Sequence, residues 1–267
     1  MRTEAIDLWA PAPVNTVKTN MANPLLRKIT RSSEKGLRPE RLIVFHHAGG
    51  NGNLYLPHLR NETRPQEIWI LDLPGRGFRS NEAPIENFTE LRNRLLEELS
   101  ALSDLPLSLF GHSMGALVAH DLAAQLERRS PGSVKRLGVS GLLAPTQRNI
   151  RGRIGLADLS DDDFLAEFEI YAEIPKEIKT HQALFSLFLK SARADIRLME
   201  SYPTQSETMH FVETFVFGGE QDRSVPVGDL ERWHSICFNA KDPFILPGGH
   251  FFLFENFDKV LNTFLEN

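Results

Sequence analysis

Leu105-Pro106-Leu107-Ser108-Leu109-Phe110-Gly111-His112-Ser113-Met114-Gly115 is an apolar run that ends in G-x-S-x-G. From Met114 to Arg129 the chain then carries Leu117, Val118, Leu122 and Leu126 at helical spacing. A strand, then G-x-S-x-G, then a helix is the context that makes this pentapeptide a nucleophile elbow. A serine on a sharp strand-to-helix turn exposes its hydroxyl and leaves room only for small neighbours, which Gly111 and Gly115 supply. The N–H of Met114, at the head of the helix, then faces the place where an oxyanion would form. The plainer alternative is a helix N-terminus capped by Ser113.

Outward from this stretch, short apolar strands alternate with helices. Strands are expected at 41–45, 67–71, 105–110, 134–143, 211–217 and 244–246, and helices at 88–102 and 114–129. A closing helix carries Phe257, Val260, Leu261 and Phe264 at i, i+3, i+4 and i+7. This alternation predicts an α/β fold with a mostly parallel central sheet and helices on both faces. Its site should lie beyond the carboxyl ends of the strands. Residues from about 146 to 205 break the alternation. A helix start is expected at Ser160 and a second at Thr180, and the insert is longer than an ordinary crossover. It is read as a helical lid over the catalytic edge, with crossover helices packed on the sheet as the alternative. The expected organisation is an N-terminal extension over 1–38, partly flexible, and one domain over 39–267. Trp9 and Leu25-Leu26 are the extension's candidate anchors.

The 267 residues are 41% hydrophobic and 24% charged, a soluble globular composition. A net charge of -5 without a dense Lys/Arg run gives no nucleic-acid footprint. No run approaches the roughly 20 apolar residues of a membrane helix, and the first residues lack a signal core. A cytoplasmic protein with no membrane or nucleic-acid partner is therefore expected, and a monomer. The single cysteine, Cys237, excludes an internal disulfide and reads as a packed core thiol.

A serine needs a base, and nine histidines compete. His112 lies within the elbow, pointing away from the serine. His58, His120, His181, His210 and His234 have no motif around them. His46 and His47 stand in a Gly-rich loop after the first strand. His250 follows a strand and two glycines, precedes the last helix and comes last in chain order. The order Ser, acid, His is that of α/β-hydrolases. The acid is expected at Asp222, at the end of Phe217-Gly218-Gly219-Glu220-Gln221, with Glu220 the nearest rival and Asp195 and Asp242 weaker ones. The loop His46-His47-Ala48-Gly49-Gly50 should supply a second oxyanion donor, the N–H of Ala48 or of a neighbour. It is neither a dinucleotide fingerprint nor a P-loop.

Together these segments resemble type II thioesterases, the stand-alone editing enzymes of nonribosomal peptide and polyketide synthesis. The likeness runs from about residue 40 to the C-terminus. It is carried by His47-Ala48-Gly49-Gly50, Leu73-Pro74-Gly75-Arg76-Gly77, Gly111 to Ala116, Ala192-Arg193-Ala194-Asp195 with Glu200-Ser201-Tyr202, Gly218 to Asp222 and Gly249-His250-Phe251-Phe252. His46 stands where that family usually has proline. The resemblance implies hydrolysis of acyl thioesters from the phosphopantetheine arm of acyl or peptidyl carrier domains. Ser113, His250 and Asp222 would act as the triad, with Met114 and Ala48 as oxyanion donors. No metal or cofactor of the protein's own is implied. Apart from the resemblance, Arg76 or Arg79, near the rim of the site, is the expected contact for an acidic carrier domain, with two solvated arginines as the alternative. The rival readings are a general carboxylesterase of the same fold and a hydrolase-fold binding protein without turnover.

Overall fold

A computed structural model describes residues 23–29, 38–62, 64–145, 155–170, 174, 176–203 and 210–266. Seven strands form one sheet: β1 (Leu26–Lys28), β2 (Arg38–Phe45), β3 (Pro65–Leu71), β4 (Leu107–His112), β5 (Val134–Ser140), β6 (Glu213–Gly219) and β7 (Phe244–Leu246). Their order is β1-β3-β2-β4-β5-β6-β7, with β1 antiparallel to β3 and the other pairs parallel.

The strands bury both faces, and side chains divide between two cores by the two-residue period of the strand. Ile43, Phe45, Leu107 and Leu109 face one core. It is closed by Leu91, Leu95 and Leu99 of α2 (Phe88–Ser100) and by Leu117, Val118 and Leu122 of α3 (Met114–Arg129), after the short α1 (Leu56–Leu59) earlier in the chain. Leu42, Val44, Ile68, Phe110, Phe215 and Phe217 face the other. The sequence places α4 (Asp161–Glu169), α5 (Lys176–Thr180) and α6 (Gln182–Glu200) between β5 and β6. The second core is covered by α7 (Phe252–Glu255) and α8 (Phe257–Glu266), the latter through Phe257, Val260, Leu261 and Phe264. Strand β4 is buried along its whole length. This central position fixes where the elbow emerges.

The inserted helices have their own small core of Leu156, Phe164, Phe168, Ile174, Leu189 and Ala192, packed against Ala48 and Phe251. They therefore sit over the loops at the carboxyl edge, as a lid does. Ser160 caps α4 as expected, its hydroxyl accepting from the N–H of Asp163 at 3.2 Å. Thr180 does not begin a helix; it ends α5. His181, with φ -111° and ψ 100°, is extended and separates α5 from α6. The helix expected from Thr180 is present as α6 and begins at Gln182, two residues later.

The extension expected over 1–38 contributes an edge strand. Residues 1–22 and 30–37, including Trp9, lie outside the described residues. Leu25 and Leu26 are buried, and their N–H groups donate to the carboxylate of Glu98 on α2 at 2.7 and 2.8 Å. Burial pushes the Glu98 carboxyl above its ordinary pKa. A strand of three residues is too short for periodicity to reveal. No helix among the described residues is long and apolar enough to cross a membrane.

Replacing Glu98 with Ala leaves two buried N–H groups unpaired, each costing about 1–3 kcal/mol. Urea unfolding should show a loss of about 2–6 kcal/mol, and Glu98→Gln, which keeps an acceptor, a smaller one.

Candidate active site

Strand β4 ends at His112 and α3 begins at Met114, so Ser113 alone makes the turn. Its φ is 54° and its ψ -118°, a conformation that side-chain-bearing residues rarely adopt and that costs about 1–3 kcal/mol. The surroundings impose it. A Cβ on Gly111 would lie 2.1 Å from the carbonyl oxygen of Gly115, and one on Gly115 would lie 2.0 Å from that of Phe45. Only hydrogen fits at either place. The Ser113 N–H donates to the Ser140 carbonyl at 2.8 Å, tying the turn to β5.

The three expected side chains meet, although Ser113 and His250 are 137 positions apart. His250 Nε2 lies 3.1 Å from Ser113 Oγ, and His250 Nδ1 lies 2.7 Å from Asp222 Oδ2. A carboxylate opposite Nδ1 fixes the proton on that nitrogen, so Nε2 accepts from the serine hydroxyl. Asp222 is itself held: its Oδ1 accepts from the Ser224 hydroxyl (2.6 Å) and from the N–H groups of Ser224 (2.9 Å) and Val225 (3.1 Å). Burial would raise the Asp222 carboxyl, but hydrogen bonds from His250 and Ser224 outweigh it and hold the pKa below the ordinary carboxylate value. The Ser224 Oγ also lies 3.1 Å from His250 Nδ1. Ser224 had no place in the sequence reading. Its signal is the local D-x-S spacing, in which an aspartate accepts from the backbone two residues on.

The rivals go elsewhere. Glu220 is exposed and pairs with Gln221, and Asp242 is exposed beside His234. Asp195 is fully buried on α6, where its Oδ1 accepts from Arg76 Nη2 at 2.6 Å and its Oδ2 from Arg76 Nη1 at 2.5 Å. The same Oδ2 accepts from the Gly49 N–H at 2.8 Å, and Arg76 Nη1 donates to the Gly50 carbonyl at 3.0 Å. The Gly50 N–H donates to the His47 carbonyl at 3.1 Å. A buried ion pair between lid and sheet loop thus clamps the Gly-rich loop from both sides, and it occupies the N–H groups of Gly49 and Gly50. The expected role of Arg76 and Arg79 in carrier docking is overturned by these contacts. Arg76 is buried against Asp195, and Arg79 is spent on Glu82 and the carbonyls of Pro24 and Asp72.

The remaining histidines of the site are buried and neutral. His46 donates from Nδ1 to the His47 carbonyl at 2.8 Å, and burial, with Arg76 nearby, pushes its pKa down to about 3. His47 Nδ1 lies 3.0 Å from the Tyr55 hydroxyl, and His112 Nδ1 lies 2.9 Å from Ser140 Oγ. Burial lowers both of these imidazoles well below the ordinary value. A cavity of about 540 Å³ opens beside the triad. The lid walls it with Phe168, Ile178, Leu184 and Phe188; the sheet side contributes Ala48 and Phe251, but not Ser113. It adjoins the serine rather than containing it.

A strained serine at the carboxyl edge of a mostly parallel sheet, joined to a histidine and an aspartate from later loops beneath inserted helices, defines an α/β hydrolase. The thioesterase domain family matches residues 40–267. The gramicidin S biosynthesis protein GrsT of Aneurinibacillus migulanus is 29% identical over 216 residues, covering 81% of this chain and 84% of that protein. The type II thioesterase BorB from the borrelidin biosynthetic cluster superimposes with a TM-score of 0.76 at 27% identity, covering 92% of this chain and 97% of that one. YbtT, the type II thioesterase from the yersiniabactin NRPS/PKS pathway, gives a TM-score of 0.76 at 26% identity, covering 91% and 98%. The chain belongs to the thioesterase family and is related to type II thioesterases.

Removing one charge of a buried ion pair costs about 3–5 kcal/mol. Asp195→Asn should therefore lower thermal stability, and it should lower kcat more than it raises KM for a thioester substrate, because the loop loses its clamp. An unfolded chain binds protons on His46, His47 and His112 from about pH 6.5 downward, whereas the folded chain does not. The unfolding free energy should fall as pH drops from about 6.5, by up to about 1.4 kcal/mol per pH unit for each histidine. Urea midpoints at pH 7 and pH 5 measure this slope.

Proposed function

We propose that this chain is an editing thioesterase that removes stalled or wrongly loaded acyl groups from the phosphopantetheine arms of carrier domains in nonribosomal peptide or polyketide synthases. The observation that carries the reading is the continuous hydrogen-bonded path from Ser113 through His250 to Asp222, in a chain of the thioesterase family. In the reaction, Ser113 Oγ attacks the thioester carbonyl while His250 Nε2 takes its proton. Asp222 keeps the imidazole in the required tautomer and stabilises its cation. The N–H of Met114, unpartnered within its helix as a first-turn donor, stabilises the oxyanion together with the N–H of Ala48. Ala48 is favoured because the next two N–H groups of that loop are already occupied by Asp195 and the His47 carbonyl. The pantetheine thiolate leaves with the proton from His250, and water activated by His250 then hydrolyses the acyl-serine.

The apolar walls under the lid suit a hydrocarbon acyl chain. Leu184→Trp, which fills part of the cavity, should reduce kcat/KM for long-chain acyl carriers about tenfold or more while sparing acetyl carriers, an effect of about 1.4 kcal/mol on transition-state binding.

Ser113→Ala should lower turnover of acyl carrier substrates by about 10⁴-fold or more and abolish labelling by a fluorophosphonate. Mass spectrometry of acyl carrier domains before and after addition of the enzyme measures turnover. Cleavage of carrier-bound thioester no faster than of a p-nitrophenyl ester would instead assign the chain to general esterases.

A further inference from the structure

Behind the active site, three side chains that the proposed reaction does not use converge in the core. His120 Nδ1 on α3 lies 3.2 Å from His210 Nε2. Cys237 Sγ lies 3.4 Å from His210 Nε2 and 4.0 Å from His120 Nδ1. All three residues are buried. They come from three separate segments: the middle of α3, an isolated bridge position three residues before β6, and the turn after a 3₁₀ segment at Val227–Ser235. His120 is seven residues beyond Ser113, about 10 Å along the helix, so the cluster is separate from the triad.

We propose that His120, His210 and Cys237 form a structural metal site for a single thiophilic d¹⁰ cation, zinc(II) or copper(I).

The donor set defines the class of ion. Two imidazoles and one thiolate, with no carboxylate among them, suit zinc or copper and not magnesium or calcium. The spacing also fits. Zinc–nitrogen and zinc–sulfur bonds of about 2.05 and 2.3 Å at tetrahedral angles separate the donor atoms by about 3.3 Å for N···N and about 3.6 Å for N···S. The backbone presets two of the ligands: the His210 N–H donates to the Ile236 carbonyl at 3.2 Å, and the Phe238 N–H donates to the His210 carbonyl at 3.0 Å. Trp233 packs edge-on against His120 with ring centroids 5.1 Å apart and donates from Nε1 to the Leu142 carbonyl at 2.9 Å, which fixes that wall. On binding, the Cys237 S–H bond breaks, a sulfur–metal bond forms, and the proton leaves to solvent. The oxidation state of the metal does not change. The ion would pin α3 to the two segments beside it, and so support from behind the helix that presents Ser113.

The full-length chain, stripped with a chelator, is reloaded with zinc(II), with cobalt(II) as a spectroscopic probe, or anaerobically with copper(I). Metal per chain is measured after desalting. One retained zinc or copper ion per chain is expected, with a raised melting temperature and a thiolate-to-cobalt charge-transfer band. Because the chain has one cysteine, that band can arise only from Cys237. Which of zinc and copper raises the melting temperature further distinguishes the two ions. Cys237→Ser and His210→Gln should weaken retention about tenfold or more, with fold checked by circular dichroism and by fluorophosphonate labelling of Ser113. Wild-type protein that retains neither ion and shows no charge-transfer band contains a hydrogen-bonded triangle only, and the proposal fails. It fails equally if folded variants retain metal as the wild type does. Should the variants not fold, the cobalt band of the wild type decides alone.

Discussion

The backbone of Ser113 is the constraint from which the rest of the site follows. A non-glycine residue at φ 54° and ψ -118° persists only where its surroundings leave no alternative. Here the alternatives are closed by contact: neither Gly111 nor Gly115 can carry a Cβ, because carbonyl oxygens occupy the space. Those carbonyls belong to Gly115 and to Phe45 at the end of β2, so the turn is wedged between its own helix and a neighbouring strand. Burial of β4 along its length, and of α3 around most of its surface, supplies the packing energy that opposes the strain. The hydroxyl is thereby aimed out of the sheet's edge without a flexible element behind it.

The second tier of organisation is electrostatic. The carboxylate of Asp195 touches the lid helix that bears it, the guanidinium of Arg76 from the second loop, and the Gly49 N–H of the first. Lid position and loop conformation are therefore one variable: α6 cannot move away without releasing Gly49 and stranding Arg76 in an apolar setting. A buried pair of this kind adds little net stability over apolar residues of the same volume, but breaking it is costly. That asymmetry suits a clamp whose function is to hold geometry.

Much of this was legible in the residues, and unevenly so. The elbow, the last helix and the strands at the sheet centre carry strong periodicity and punctuation, and α3 spans Met114–Arg129 as the spacing predicts. Asp222 and His250 could be named because glycines and strand ends bracket them. Contacts made by side chains that are distant in sequence stayed hidden. The Arg-Ala-Asp segment was recognisable, yet nothing local says that Asp195 and Arg76 would find each other across 119 positions. For the same reason the arginines of the Pro-Gly-Arg-Gly-Phe-Arg stretch read as a carrier contact or as solvated charges, when both are engaged internally. The edge strand β1 escaped because three residues carry no readable period, and its tie to Glu98 on α2 is a contact across 72 positions. His120, His210 and Cys237 carry no motif individually, and only the fold makes them neighbours.

The histidines around the site are sorted by what faces them. His47 and His112 lie close to His250, with 5.2 Å between the ring centroids of His112 and His250. Were either protonated, its charge would oppose the imidazolium that the proposed reaction requires of His250. Burial away from any carboxylate keeps both neutral, and a neutral ring can fill space and hydrogen-bond without competing for the proton. His250 alone among the three meets a carboxylate, and that carboxylate is locked by Ser224 and Val225 in its ionised form. Three nearly touching imidazoles can therefore coexist with a single site of positive charge. The selectivity arises from the position of Asp222 rather than from any difference among the rings themselves.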